Sequence, residues 1–143
     1  MNTEIKKEWV RRLRSGEYQQ GHGRLTKIKP DGVKTYCCLG VLCEMAVEAG
    51  VVTSSIDDGS VVYGVFRERE VLPEPVEQWA GLEPNGSDVT IAAVGQQCPD
   101  RPSDYDKCTS ETCPVCRDLT LIHLNDNVFS TFPEIANVIE RWL

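Results

Sequence analysis

The chain has 143 residues, of which 41% are apolar and 26% charged, and its formal charge is −7. That length and balance belong to one globular domain, able to take roughly two-thirds of its unfolded surface out of water. They exclude a disordered or collagen-like chain, and no apolar run approaches the roughly 20 residues that a membrane-spanning helix needs.

Ile5, Trp9 and Leu13 recur every four residues, which predicts a short amphipathic helix over Ile5 to Arg14 with Gly16 as its left-handed stop. Tyr18 to Gly23 is a polar loop rich in glycine. Arg24 to Lys29 and Val33 to Cys37 flank Pro30-Asp31-Gly32, a turn signal, and read as a β-hairpin. Cys38 to Ala49 is apolar except at Glu44 and Glu48 and is expected to be the most buried helix, ended by Gly50. Val51-Val52 and Val61 to Phe66, around Asp57-Asp58-Gly59, predict a second hairpin. Pro73 and Pro75 fall in the first turn of a short helix from Glu74 to Ala80, closed by Gly81. Val89 to Val94 reads as a strand, 95–117 as a cysteine-bearing loop, and Leu119 to Leu124 as a buried strand. Thr131 and Glu134 form a capping box for a last helix whose apolar residues Phe132, Ile135, Ala136, Ile139 and Trp142 follow helical spacing. The sum is one α+β domain over 1–143, with helices and hairpins on a mainly antiparallel sheet and a zinc-stapled loop at 95–117 inserted within it.

The amino terminus, Met1 to Glu8, has no apolar stretch of signal-peptide type, so the chain is expected in the cytosol. There, seven cysteines point to metal ligation or buried thiols and away from disulfides. Cys98, Cys108, Cys113 and Cys116 are separated by nine, four and two residues. The short gap lets two thiolates face one tetrahedral ion at about 2.3 Å, and the loop has too few large apolar residues to fold on a core of its own. A structural zinc ion is the leading expectation, against four unlinked thiols or a redox pair. Four thiolates leave no position for water, so such a zinc would hold and not catalyse.

Cys37 and Cys38 open the central helix, where the macrodipole lowers a thiol pKa, and His123 followed by Asn125 keeps the chain order of a papain-like nucleophile, base and orienter. Buried cysteines and a packing histidine are the plainer expectation. Gln20, His22 and Arg24, around glycines, could contact a phosphate or nucleotide, although no Walker or dinucleotide fingerprint accompanies them. Asn125 and Asp126 sit in the expected turn before the last helix, where they could meet a ligand or bond their own backbone. Met1 to Lys34 carries nine Lys and Arg against four Asp and Glu. A basic arm docked on an acidic body, or merely solvated, explains this better than a grip on duplex DNA, which needs a basic balance over the whole domain.

Trp9 to Tyr18, Cys37 to Cys43, Leu72-Pro73 to Leu82 with Trp79-Ala80-Gly81, and Leu124-Asn125-Asp126 with Phe132 to Glu140 together resemble a family of small uncharacterised tailed-bacteriophage proteins. The resemblance covers about half the chain. It implies a phage-encoded protein acting in an infected bacterial cell and carries no reaction with it. Against the simpler pattern of that family, the cysteine loop is an insertion before Leu119. Small size, acidic charge and the lack of a complete catalytic set lead to an accessory protein that blocks or sequesters a host protein or a nucleotide signal, in counter-defence. A cysteine hydrolase using Cys38 and His123 is the alternative, and self-association stays open.

Overall fold

The computed structural model of the chain describes residues 1–82, 120–126 and 130–143. Helix α1 spans Thr3–Ser15; the Asn2 side chain caps it by accepting from the N–H groups of Glu4 and Ile5, and Gly16 ends it at φ 77°. Its Trp9, Val10 and Leu13 are buried. Charge pairs dock the helix as well: Arg12 meets Glu48 at 2.6 Å and Glu8 at 2.8 Å, and Arg14 meets Glu140 at 2.7 Å. Hydrogen bonds from Arg11 and Arg12 hold the Glu8 carboxyl down to about 2. Arg12 and Arg14 thus pair with acids of later helices, whereas Lys7 and Arg11 pair with Glu4 and Glu8 of α1 itself.

Strands β1 (Thr26–Ile28), β2 (Lys34–Tyr36), β3 (Ser54–Asp57) and β4 (Ser60–Tyr63) form an antiparallel sheet in the order β2-β1-β4-β3. The first hairpin lies where the sequence places it. In the second, the outer strand is Ser54–Asp57 and not Val51-Val52. Asp58 and Gly59, at φ 44° and 67°, make a two-residue turn, so the paired strand must begin directly beside them. Val51 instead bonds back to Ala46 at the end of the preceding helix. β4 stops at Tyr63 because positive φ at Gly64 and Arg67 turns the chain, which leaves Val65 and Phe66 exposed.

Helix α2 (Cys38–Glu48) is the core of the molecule, buried from Cys38 to Cys43 and again at Met45 and Ala46. Its first turn is crowded. Cys37 N–H donates to Leu25 O at 3.0 Å, Trp9 Nε1 donates to Cys38 O at 3.0 Å, and Cys38 Sγ donates to Leu121 O at 3.6 Å. A Cβ on Gly40 would collide with the Leu25 carbonyl, so only glycine lets α2 lie this close to β1. Helix α3 (Glu74–Ala80) carries its prolines in the cap and first turn, as expected, and ends at Gly81 with φ 64°.

The segment read as a last strand is instead helix α4 (Leu121–Asp126) where it is described, buried at Leu121, Leu124 and Asn125. A six-residue apolar run cannot be told as strand or helix from periodicity. Thr120 Oγ1, which accepts from His123 N–H at 3.0 Å, starts the helix. Asn125 and Asp126 thus end a helix and are not in a turn. Helix α5 (Phe132–Trp142) has the expected capping box, Glu134 accepting from Thr131 N–H and hydroxyl at 2.7 and 2.8 Å, and it packs on α1. The predicted strand at Val89 to Val94 and the loop over 95–117 lie outside the described residues. The described architecture is α+β, and among the described residues no helix is long and apolar enough to cross a membrane.

Gly40→Ala sets two effects against each other. Helix propensity favours alanine by about 1 kcal/mol, whereas overpacking against fixed backbone costs about 1–3 kcal/mol or more. Because the obstacle is the Leu25 carbonyl and not a side-chain end, the variant should unfold at lower urea than the parent; an unchanged or higher midpoint would contradict the close approach.

Candidate functional site

Lys27 on β1 pairs with Thr35 on β2 and with Ser60 on β4. Residues directly opposite in a sheet share a face, so these three sit together on the face turned away from α2. Thr26, one residue earlier, faces the other way, where its hydroxyl meets Tyr63 OH at 2.7 Å and Tyr63 donates to Glu44 Oε1 at 2.6 Å.

The loop 20–24 runs beside β2, with Gly21 N–H donating to Tyr36 O at 2.7 Å and Tyr36 N–H to Gln19 O at 2.9 Å. It lies so tightly on the sheet that a Cβ at Gly21 would be 2.7 Å from Thr35 Oγ1. α4 holds the loop from the other side. Asn125 is fully buried; its Nδ2 donates to Gly21 O at 2.9 Å and to Asp126 Oδ1 at 2.6 Å, and its Oδ1 accepts from Gln20 Nε2 at 3.1 Å. Gln20 Nε2 also donates to Ser130 O at 2.8 Å, and Gln20 Oε1 accepts from Phe132 N–H at 3.0 Å. Asp126 Oδ2 accepts from Gly23 N–H at 3.0 Å. His22 Nδ1 lies 2.8 Å from the Asn125 carbonyl oxygen and 3.7 Å from Asp126 Oδ1. A carbonyl only accepts, so the proton sits on Nδ1, and in the neutral ring Nε2 becomes the acceptor.

Between the loop and the first hairpin opens a groove of about 570 Å³. Arg24, Lys27 and Lys29 line it with His22, Thr35 and Ser60, and Asp58 is the only acid among the described residues that line it. Arg24 is drawn over the sheet by a 2.6 Å hydrogen bond to Ser60 Oγ. Lys27 Nζ lies beside the loop, 3.7 Å from where a Cβ on Gly23 would stand. In a chain of charge −7 this is a local concentration of positive charge, which attracts an anion. A second groove of about 430 Å³ between α1 and α5 is lined by Lys6, Lys7, Arg11 and Arg14, but the last three are already paired with Glu4, Glu8 and Glu140.

Of the residues singled out in the sequence, Gln20, His22, Asn125 and Asp126 come together, and Arg24 lines the same groove. Their roles divide: Asn125 and Gln20 spend their polar atoms on the protein itself and position the loop, while His22 and Arg24 line the groove. Lys27, Lys29, Thr35 and Ser60 were not singled out. Lys27-Ile28-Lys29 in a predicted hairpin was the available signal, because alternate strand residues share a face.

Cys37 and Cys38 keep their place at the start of α2 but not the expected chemistry. Both are buried. Burial pushes Cys37 up to about 12 and Cys38 well above its ordinary value, which outweighs the helix-start effect, and Cys37 Sγ caps α2 by accepting from Gly40 N–H at 3.4 Å. His123 is exposed on α4, whereas Cys38 reaches α4 at the backbone of buried Leu121. A thiolate beside a base is thus not assembled. Cys98, Cys108, Cys113 and Cys116 lie outside the described residues, and among the described residues no group of three or more His, Cys, Asp or Glu could hold a metal.

A family model described as a domain of unknown function (DUF8296) matches residues 1–143, and the chain belongs to that family. No curated protein and no solved structure matches it.

Asn125→Leu keeps the approximate volume of the side chain but leaves Gly21 O without its partner and takes one acceptor from Gln20. A buried polar group left unpaired costs about 1–3 kcal/mol. Urea unfolding should show a loss of that size, and hydrogen exchange should show faster amides at 20–23; a stability loss with unchanged exchange there would contradict the anchoring role.

Proposed function

We propose that this member of the DUF8296 family is a binding protein that captures an anionic small molecule of the nucleotide-signal class in the groove beside loop 20–24. The observation that carries the proposal is the set Arg24, Lys27 and Lys29, gathered in an otherwise acidic chain beside a loop anchored by buried Asn125. An anchored loop lowers the ordering cost of binding, and charge-assisted hydrogen bonds from such cations are about twice as strong as neutral ones. The resemblance to small tailed-phage proteins supports a setting in an infected bacterial cell, where sequestering a nucleotide signal blunts a host defence.

A host-protein target is the second reading, favoured by Val65 and Phe66, which are 93% and 86% exposed at the end of the second hairpin. A cysteine hydrolase is disfavoured by the buried, protonated Cys37 and Cys38.

Titration of the purified chain with cyclic nucleotides and ADP-ribose, followed by calorimetry, tests the proposal. One of these ligands should bind, and Arg24→Gln should weaken it by about ten- to a hundredfold, the cost of one or two charge-assisted bonds. Absence of binding by every nucleotide, with capture of a host protein instead, would favour the second reading.

The zinc belongs to the same proposal as a local clamp. The spacing of Cys98, Cys108, Cys113 and Cys116 supports one tetrahedral site that staples the loop over 95–117. Metal analysis of the purified chain should give one zinc per molecule, lost in Cys113→Ser without global unfolding. Full zinc content in that variant would contradict the ligand set.

A further inference from the structure

We infer that the groove recognises its ligand chiefly through phosphates, so that its ligand class is a diphosphate-bearing molecule such as a nucleoside diphosphate or ADP-ribose. This rests on the binding proposal above and narrows it.

The lining chemistry decides between phosphate and base. Lys27 on β1 and Lys29, just past its end, are two residues apart, about 7 Å along the extended chain, and both are exposed. Arg24 adds a planar donor fork from the loop, held over the sheet by Ser60. Three cations spread over that length can serve more than one phosphate, which a single phosphate would leave partly unused. Thr35 and Ser60 form the floor beneath these cations; both are buried, and Ser60 Oγ holds Arg24 in place.

Base recognition needs a platform, since stacking on an aromatic ring is worth about 1–3 kcal/mol per base. Among the described residues, strand alternation turns Tyr36 and Tyr63 away. Tyr36 follows Thr35 and so points to the opposite face, where it meets Tyr18 edge-on at 5.1 Å, and Tyr63 is buried against Thr26 and Glu44. Among the described residues lining the groove, the His22 imidazole is the only ring system besides Pro30. Among the described residues beside the groove, the Gln20 and Asn125 side chains are also committed: Gln20 bonds Asn125, Ser130 and Phe132, and Asn125 is buried.

Competition calorimetry on the full chain with ADP, GDP, UDP, inorganic pyrophosphate and adenosine separates the possibilities. ADP, GDP and UDP should bind within about threefold of one another, pyrophosphate should displace ADP, and adenosine should not, even in hundredfold excess. The double variant Lys27→Gln/Lys29→Gln, which changes two exposed side chains, should weaken ADP and pyrophosphate alike by at least tenfold with an unchanged circular dichroism spectrum. A preference of more than tenfold for one base, or displacement of ADP by adenosine, would overturn the inference while leaving the groove a nucleotide site. Failure of ADP, ADP-ribose and pyrophosphate to bind while a cyclic nucleotide binds would overturn the inference alone, and failure of the cyclic nucleotides as well would overturn the binding proposal with it.

Discussion

The structure depends on how closely the first turn of α2 lies on β1. Gly40 has no Cβ, and the space one would fill is taken by the Leu25 carbonyl. Around that contact three other elements take their positions from the same turn: α1 through Trp9 Nε1 on Cys38 O, β1 through Cys37 N–H on Leu25 O, and α4 through Cys38 Sγ on Leu121 O. Each is a hydrogen bond in a dry interior, where leaving a group unpaired costs more than pairing it gains. A shift of α2 away from the sheet would therefore break several bonds at once.

The same placement reaches the groove by two routes. Leu25 ends the loop 20–24, so fixing its carbonyl under Gly40 fixes one end of the loop. Leu121 begins α4, so holding its carbonyl fixes the helix that brings Asn125 under the other end. Asn125 then ties together Gly21, Gln20 and Asp126, and the Asn125 carbonyl orients His22. A buried amide is costly to desolvate and is retained where its bonds specify one geometry. Exposed residues such as Lys27 and Lys29 are then free to present charge, because they carry none of the load that positions the loop.

Much of the frame was legible in the sequence for local reasons. Gly16, Gly81 and the Thr131 and Glu134 capping box mark helix ends through backbone chemistry that acts within a few residues, and all three stand where they were read. The errors came where local signals were ambiguous. Leu121 to Leu124 is too short for periodicity to separate helix from strand, and Asp58-Gly59 forms a tighter turn than the surrounding serines suggested. For the candidate site, Gln20, His22, Asn125 and Asp126 could each be noticed, but nothing in the sequence shows that residues about a hundred positions apart share one network. Gln20 and Asn125 looked like ligand contacts because polar side chains beside glycine or in a turn read that way. Only the burial of Asn125 and the pairing of both show that they position the loop. The helix-start argument for Cys37 failed for a related reason: it counts the local dipole, while desolvation by the folded core is larger and has the opposite sign.

The central claim is that binding happens on the outer face of the sheet, beside loop 20–24. Backbone amide mapping by NMR during titration with ADP-ribose tests it most directly. The account predicts perturbations concentrated at residues 20–24, Lys27, Lys29, Thr35 and Ser60, with α1 and α5 unmoved. Perturbations centred on Lys6, Lys7 and Arg11, or on Val65 and Phe66, would contradict it.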